Sequence, residues 1–371
     1  MFVLLAASHR SEYPVVLGLY SWRYAGFLAA FVVAACIMSL TKPSWLGKVW
    51  QARTKILISG ASLLLTICLA EMAVRAVDAY GVSYYDAVSV YMLNMEADGN
   101  RVYRHKASSE QLYGKLTVTY NERGLRDRPI LPKGKEEFRV LALGDSIVFG
   151  WGVPQDQIFP VRLEQLLERR LGRPARVINS GVGGYNTVQE VAYFKEEGIT
   201  FQPDLVLLTY VENDIGETPG HLITDHGGER SFLQMVMRPV EKLWLYRLVQ
   251  HAHDYGFNVR DDGRPQALAS RKGWDDSISA LDELVSMCRA SNVPLMIFYY
   301  RLNVDAENPL LADVIAHAKG FPVKDVGPWF AGHDILTLIV SKIDPHPNAE
   351  AHRLMAEHMA IDIQNFLVAQ K

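Results

Sequence analysis

The chain has 371 residues, more than one ordinary domain needs. Its net charge of −3 implies no strong electrostatic pull toward nucleic acid. Three scattered cysteines, Cys36, Cys68 and Cys288, make no disulfide framework. No metal-ligand cluster or phosphate loop is visible, so neither a metal nor a cofactor is expected.

Two apolar runs open the chain. Tyr24 to Leu40 is uncharged, and the stretch reaches back to about residue 15 if Arg23 snorkels to an interface. Ile56 to Ala70 is likewise uncharged and runs past Glu71 to about residue 75. Each run approaches the roughly 20 residues that span a bilayer. They predict a membrane anchor over residues 1–77, with two transmembrane helices at about 15–40 and 56–75. The plain alternatives are a pair of buried helices or a cleaved signal peptide. The second run lies too far along the chain for the latter. Between the runs stand Lys42, Lys48, Arg53 and Lys55 with no acidic residue, which predicts a cytoplasmic loop. The bilayer is then a partner. Everything after the second run lies outside it, in the periplasm or extracellular space if the membrane is a bacterial inner membrane.

Residues 78–136 form a connecting region. Leu116 to Tyr120 reads as a strand, and the turn-rich Asn121 to Asp127 precedes the next domain, so the region is expected to pack on that domain. From residue 137 on, strands are predicted near 138–143, 176–180, 204–210, 294–300 and 321–326. Helices are predicted near 156–171, 187–197, 274–291 and 348–369. Such alternation implies an α/β fold, a mainly parallel sheet with helices on both faces. Residues 216–272 read as an insertion. Phe232, Val236, Val240, Leu243, Trp244 and Leu248 recur at helical spacing there, and Pro239 would bend or break that helix. It is either a helix packed on the domain or a lid or membrane-facing element.

Chemistry concentrates at strand ends. Arg139 to Leu143 is a short apolar run that stops at Gly144-Asp145-Ser146, before a helix-like segment. Open α/β sheets place their chemistry at that edge, so Ser146 is a candidate nucleophile. A serine hydroxyl needs a base and an oxyanion site. Pro345 and Pro347 hold His346 in a loop before the last helix, and Asp344 could fix its tautomer. The ordinary reading is a surface histidine. His352 reads as helix surface or as support for the site, and not as a metal ligand. Val177 to Thr187 ends a strand in a glycine-rich turn, where Gly184 offers an unobstructed N–H. Leu205 to Tyr210 ends in Val211-Glu212-Asn213-Asp214, and the Asn213 amide could donate to an oxyanion. Both segments also suit plain turns and helix caps. Trp151 and Tyr185 closely follow the first two blocks and either line the substrate pocket or belong to the core.

The order Ser146, Gly184, Asn213, His346 resembles the SGNH/GDSL hydrolase family over roughly residues 137–370. The match departs in two places. Tyr210-Val211-Glu212 precedes Asn213 where a glycine is usual, and one residue separates Asp344 from His346 where many members have two. The resemblance implies a three-layer αβα domain with a flavodoxin-like sheet. It implies Ser146, His346 and Asp344 as catalytic residues, with the Ser146 N–H, Gly184 N–H and Asn213 amide as oxyanion donors. The chain then reads as a membrane-anchored serine esterase acting on acyl esters, such as O-acetyl groups, of small molecules or glycans. Two alternatives stay open. One is a polysaccharide O-acyltransferase, which would need a membrane-protein partner. The other is a non-catalytic glycan-binding or assembly module on the same fold.

Overall fold

The computed structural model describes residues 44–216, 240, 242–256, 271–302 and 309–370. The chain divides into two compact units, Met1–Met72 and Ala73–Lys371.

In the first unit the described part belongs to one long helix, α1 (Ser44–Val77). Its stretch Ala52–Val77 is long and apolar enough to cross a membrane, with mean hydropathy 2.0 and none of it buried. This is the second of the two predicted spans. The first, about 15–40, lies outside the described residues. Lys48, Arg53 and Lys55 do not form a loop but sit in the opening turns of α1, where Lys, Arg and Gln are good helix formers.

The second unit begins with α2 (Ser83–Leu93) and two small antiparallel hairpins. One pairs β1 (Met95–Asp98) with β2 (Val102–His105), the other β3 (Glu110–Tyr113) with β4 (Leu116–Thr119). The sheet that follows has five parallel strands: β5 (Phe138–Leu143), β6 (Ala175–Asn179), β7 (Leu205–Val211), β8 (Leu295–Tyr300) and β9 (Val323–Asp325). Their spatial order is β6-β5-β7-β8-β9, the flavodoxin-like winding. The helices are α3 (Ser146–Phe149), α4 (Phe159–Leu171), α5 (Thr187–Glu196), α6 (Trp244–Tyr255), α7 (Arg271–Ala290), α8 (Pro309–His317) and α9 (Ala349–Ala369).

Alternation along β5 builds both cores. Val140 and Ala142 face the cluster containing Leu163 and Leu167 of α4 and Met355 and Met359 of α9. Leu141 and Leu143 face the cluster containing Val191 of α5, Leu281 and Leu284 of α7 and Val314 of α8. Successive strand side chains point to opposite faces, so a strand covered on both sides must be apolar throughout. The fold is therefore a three-layer αβα sandwich.

The connecting region packs against this domain through a third cluster. Tyr91, Tyr103, Tyr113, Val118 and Tyr120 meet Phe149, Trp151, Val182 and Tyr185. In the insertion, the helical spacing predicted from Phe232 onward breaks at Leu243, whose backbone is extended, and α6 begins afterwards. Phe232, Val236 and Pro239 lie outside the described residues. Trp244 and Arg247 of α6 both donate to the Asp86 carboxylate of α2, at 2.8 and 2.6 Å.

Candidate active site

The chain winds from β5 to β6 on one side and returns to β7 on the other, so β5 and β7 flank the switch point of the sheet. Ser146 follows β5 and Asn213 follows β7. The turn after β5 requires glycine for space: a Cβ on Gly144 would lie 2.2 Å from Val148 Cγ2. Asp145 then caps α3, accepting the Ile147 N–H at 2.9 Å.

His346 reaches this turn from 200 residues further along the chain. Its Nε2 lies 2.9 Å from Ser146 Oγ, and its Nδ1 lies 2.6 Å from Asp344 Oδ1. A carboxylate only accepts, so Nδ1 carries the hydrogen and Nε2 is left to accept from the serine hydroxyl. The single residue between Asp344 and His346 does not prevent this contact. The turn is closed by the Asp344 N–H donating to Ser341 Oγ at 3.0 Å and the Ser341 N–H donating to Asp344 O at 2.9 Å. Asn348 caps α9 directly behind it, accepting from the N–H groups of Glu350 and Ala351.

Trp151 and Tyr185, read from sequence as possible pocket residues, are both buried. The Trp151 indole N–H donates to Asp344 Oδ2 at 3.0 Å, so this ring supports the aspartate. The Tyr185 hydroxyl donates to the Tyr103 carbonyl inside the interface with the connecting region. Trp151 also borders the site, its ring centroid 5.9 Å from that of His346. His352, read as helix surface or as support for the site, is fully buried, which rejects the surface reading. Its Nδ1 accepts the Phe159 N–H at 3.1 Å, and burial drives its pKa down to about 3. Its 3.6-residue phase relative to Met355 and Met359 turns it to the core, which a single polar residue does not announce.

Gly184 and Asn213 are both exposed beside the nucleophile turn. The glycine-rich loop lies directly on that turn. The Ser180 N–H donates to Ala142 O and the Val182 N–H to Gly144 O, at 3.0 and 3.2 Å. Asn213 donates one amide hydrogen to Asp145 Oδ2 at 3.1 Å. An amide nitrogen carries two hydrogens, so a second donor remains.

Three residues that support the site, Asp214, Glu190 and Arg126, carried no role in the sequence reading, and Asp145 was read only as part of the serine turn. Asp145 is buried and accepts from the Asn213 amide and the Ile147 N–H, and its Oδ2, 3.3 Å from Ser146 Oγ, is the more distant alternative to His346 Nε2 for the one hydroxyl hydrogen. Burial raises its pKa against those hydrogen bonds. The carboxyls of Asp214 and Glu190 are also buried; burial and the Asp145 carboxylate push the pKa values of both well up, and Asp214 adds to the rise at Glu190. Arg126, fully buried in the connecting region, donates to the carbonyls of Phe149, Gly150 and Val153, at 3.1, 2.6 and 2.6 Å. Its neighbours Gly124 and Leu125 marked a turn in the sequence, but nothing there signalled that the guanidinium would hold the loop after the nucleophile. Among the described residues no group of His, Cys, Asp and Glu is placed to hold a metal ion.

The doubly wound αβα sheet, with this serine turn at its carboxyl edge, defines the class of SGNH hydrolases. Within that class the chain belongs to the GDSL-like lipase/acylhydrolase family, whose profile matches residues 142–354. Among curated proteins no sequence match was found. Solved structures with a similar fold include a two-domain esterase active on acetylated mannans, crystallised with mannopentaose. It is 15% identical, with TM-score 0.40 over 64% of this chain and 50% of that one, so the chain spans half that protein's length. Another is an acetylxylan esterase from Geobacillus stearothermophilus, 15% identical, with TM-score 0.39 over 63% of this chain and 96% of that one. A third is an α/β hydrolase from the metagenome of Lake Arreo, 18% identical, with TM-score 0.36 over 61% of this chain and 95% of that one.

Proposed function

We propose that the chain is a membrane-anchored serine esterase that cleaves acyl esters through an acyl-enzyme at Ser146. The observation that carries this reading is the unbroken line Ser146–His346–Asp344, with contacts of 2.9 and 2.6 Å. His346 takes the hydroxyl proton as Ser146 Oγ attacks the ester carbonyl, and Asp344 holds the ring in the required tautomer. The tetrahedral oxyanion is received by the Ser146 and Gly184 N–H groups and by the second amide hydrogen of Asn213. His346 then protonates the leaving alcohol. Water, activated by the same histidine, releases the acid.

The alcohol is proposed to be a glycan, and the acyl group small, such as acetyl. Tyr84 of α2 supports this: it is half-buried, and its ring centroid lies 6.2 Å from that of His346. An aromatic body with a polar tip beside the reacting atoms suits a sugar ring better than a long acyl chain. The exposed apolar helix Ala52–Val77 and the basic residues at its start support an anchor with the hydrolase domain outside the membrane.

The test is a fluorophosphonate probe together with a panel of acyl esters and acetylated glycans, with and without acceptor sugars. Labelling at Ser146, lost in Ser146→Ala, together with deacetylation, is the expected result. Labelling at another serine or unchanged turnover by the variant would overturn the mechanism. An acceptor sugar that outcompetes water would instead make the chain an acyltransferase. Reporter fusions at residues 48 and 110 test the topology, and a cytoplasmic signal at residue 110 rejects it.

A further inference from the structure

Residues 78–127 lie N-terminal to the family match, yet they hold the oxyanion turn. Gly183 is gripped at both ends by tyrosines from this region. Its N–H donates to the Tyr91 hydroxyl at 2.6 Å, and its carbonyl accepts from the Tyr103 hydroxyl at 3.2 Å. The approach is close enough to demand glycine: a Cβ on Gly183 would lie 2.8 Å from Tyr91 Oη. Both tyrosines are buried, which raises their pKa values and keeps the hydroxyls protonated.

The direction of each hydrogen follows from His105. Burial pushes its pKa down to about 3, so the ring is neutral. Its Nδ1 lies 3.1 Å from the Gly124 carbonyl, which only accepts, so Nδ1 carries the hydrogen. The bare Nε2 then accepts from the Tyr91 hydroxyl at 2.7 Å. Tyr91 has spent its one hydrogen, so its oxygen must be the acceptor for the Gly183 N–H. The Gly183 carbonyl, 3.4 Å from Tyr91, is left to Tyr103.

The Gly183 carbonyl and the Gly184 N–H belong to one planar peptide, and no described peptide bond is cis. In a trans peptide the two groups point in opposite directions. Fixing the carbonyl therefore aims the N–H. We propose that Tyr103 and Tyr91, the latter set by His105, are positioning residues that aim the Gly184 N–H at the oxyanion. The connecting region is thereby a working part of the catalytic unit. This rests on the reading of Gly184 as an oxyanion donor.

The experiment uses the full chain in detergent, with p-nitrophenyl acetate as substrate and a fluorophosphonate to count active sites. Tyr103→Phe and Tyr91→Phe keep each ring in its packing and delete only the hydroxyl. Removing an oxyanion donor outright costs about 10²–10³ in rate, so misaiming one should lower kcat per titrated site by about tenfold. KM should stay within about twofold, because the interaction forms in the transition state. A merely structural role would reduce the titratable fraction and leave kcat per site unchanged. Per-site kcat within about twofold of wild type in both variants, or a loss confined to KM, would overturn the proposal. Probe labelling of the wild-type chain away from Ser146 would instead remove the catalytic reading on which it rests.

Discussion

The Trp151 indole N–H and the Asp344 carboxylate are joined at 3.0 Å, across 193 residues of sequence. Asp344 thus has one oxygen on His346 and the other on the ring that follows the nucleophile turn. Trp151 also packs edge-on against Tyr91, at 5.1 Å between ring centroids. A hydrogen bond to a charged group contributes roughly 1.5–3 kcal/mol. Trp151→Phe should therefore lower kcat/KM by about tenfold or more while Ser146 still takes the probe. Steady-state kinetics on an acetate ester check this, and an unchanged kcat/KM would mean the aspartate needs no second anchor.

Asn213 offers a second test at the far side of the serine. Asn213→Ala removes the proposed oxyanion amide and leaves Asp145 without that donor. Turnover should fall by about 10²–10³, with KM little changed. A variant that loses substrate affinity but keeps kcat would assign the amide to ground-state binding.

Stability should fall on mild acidification. His105 and His352 both have folded pKa values of about 3, below the ordinary 6.5. Between those values the unfolded chain binds protons that the native fold refuses, so unfolding gains as pH drops. Each histidine contributes a slope of roughly 1.4 kcal/mol per pH unit in that window. Asn offers an oxygen near the position of Nδ1, so His352→Asn should keep the bond to the Phe159 N–H and lose one histidine's share of the slope. Denaturant titrations from pH 7 to 4 measure it, and an unaltered slope would mean that His352 is solvated.

Glu190 predicts the opposite trend. Its folded pKa lies well above the ordinary 4.5, so its contribution is fully present below 4.5 and is lost as pH rises through the raised value. Burial and the neighbouring Asp214 and Asp145 carboxyls are the cause. Glu190→Gln removes the group that must ionise. Its gain in Tm over wild type should be larger at pH 8 than at pH 5. Equal shifts at the two pH values would show that Glu190 does not titrate in this range.

Much of the domain was written locally. The five strands and the helices around them follow from apolar runs punctuated by glycine, proline and polar turns, because a strand buried on both faces has no other composition open to it. Gly144-Asp145-Ser146, Gly184 and Asn213 were legible for the same reason, since each follows the end of a strand, and His346 was legible from the two prolines that hold it in a loop before the last helix. Even the bond between Asp344 and His346 was foreseen, since two residues in one proline-braced loop cannot lie far apart.

The remaining features depended on partners distant in sequence. Polarity alone cannot tell a surface histidine from one whose nitrogen satisfies a backbone N–H, so the sequence left both readings of His352 open until α4 and α9 packed together. Trp151 and Tyr185 were visible as aromatics near the site, but only packing turned one toward Asp344 and the other toward the Tyr103 carbonyl. Arg126, Tyr91 and Tyr103 carry no motif, because their role is to satisfy carbonyls and N–H groups of loops beyond the connecting region. Sequence by itself determined which residues could do chemistry and at which strand ends. Tertiary structure alone decided which buried polar groups hold them there, because every such group must find a partner and the choice of partner is made only when the chain has closed on itself.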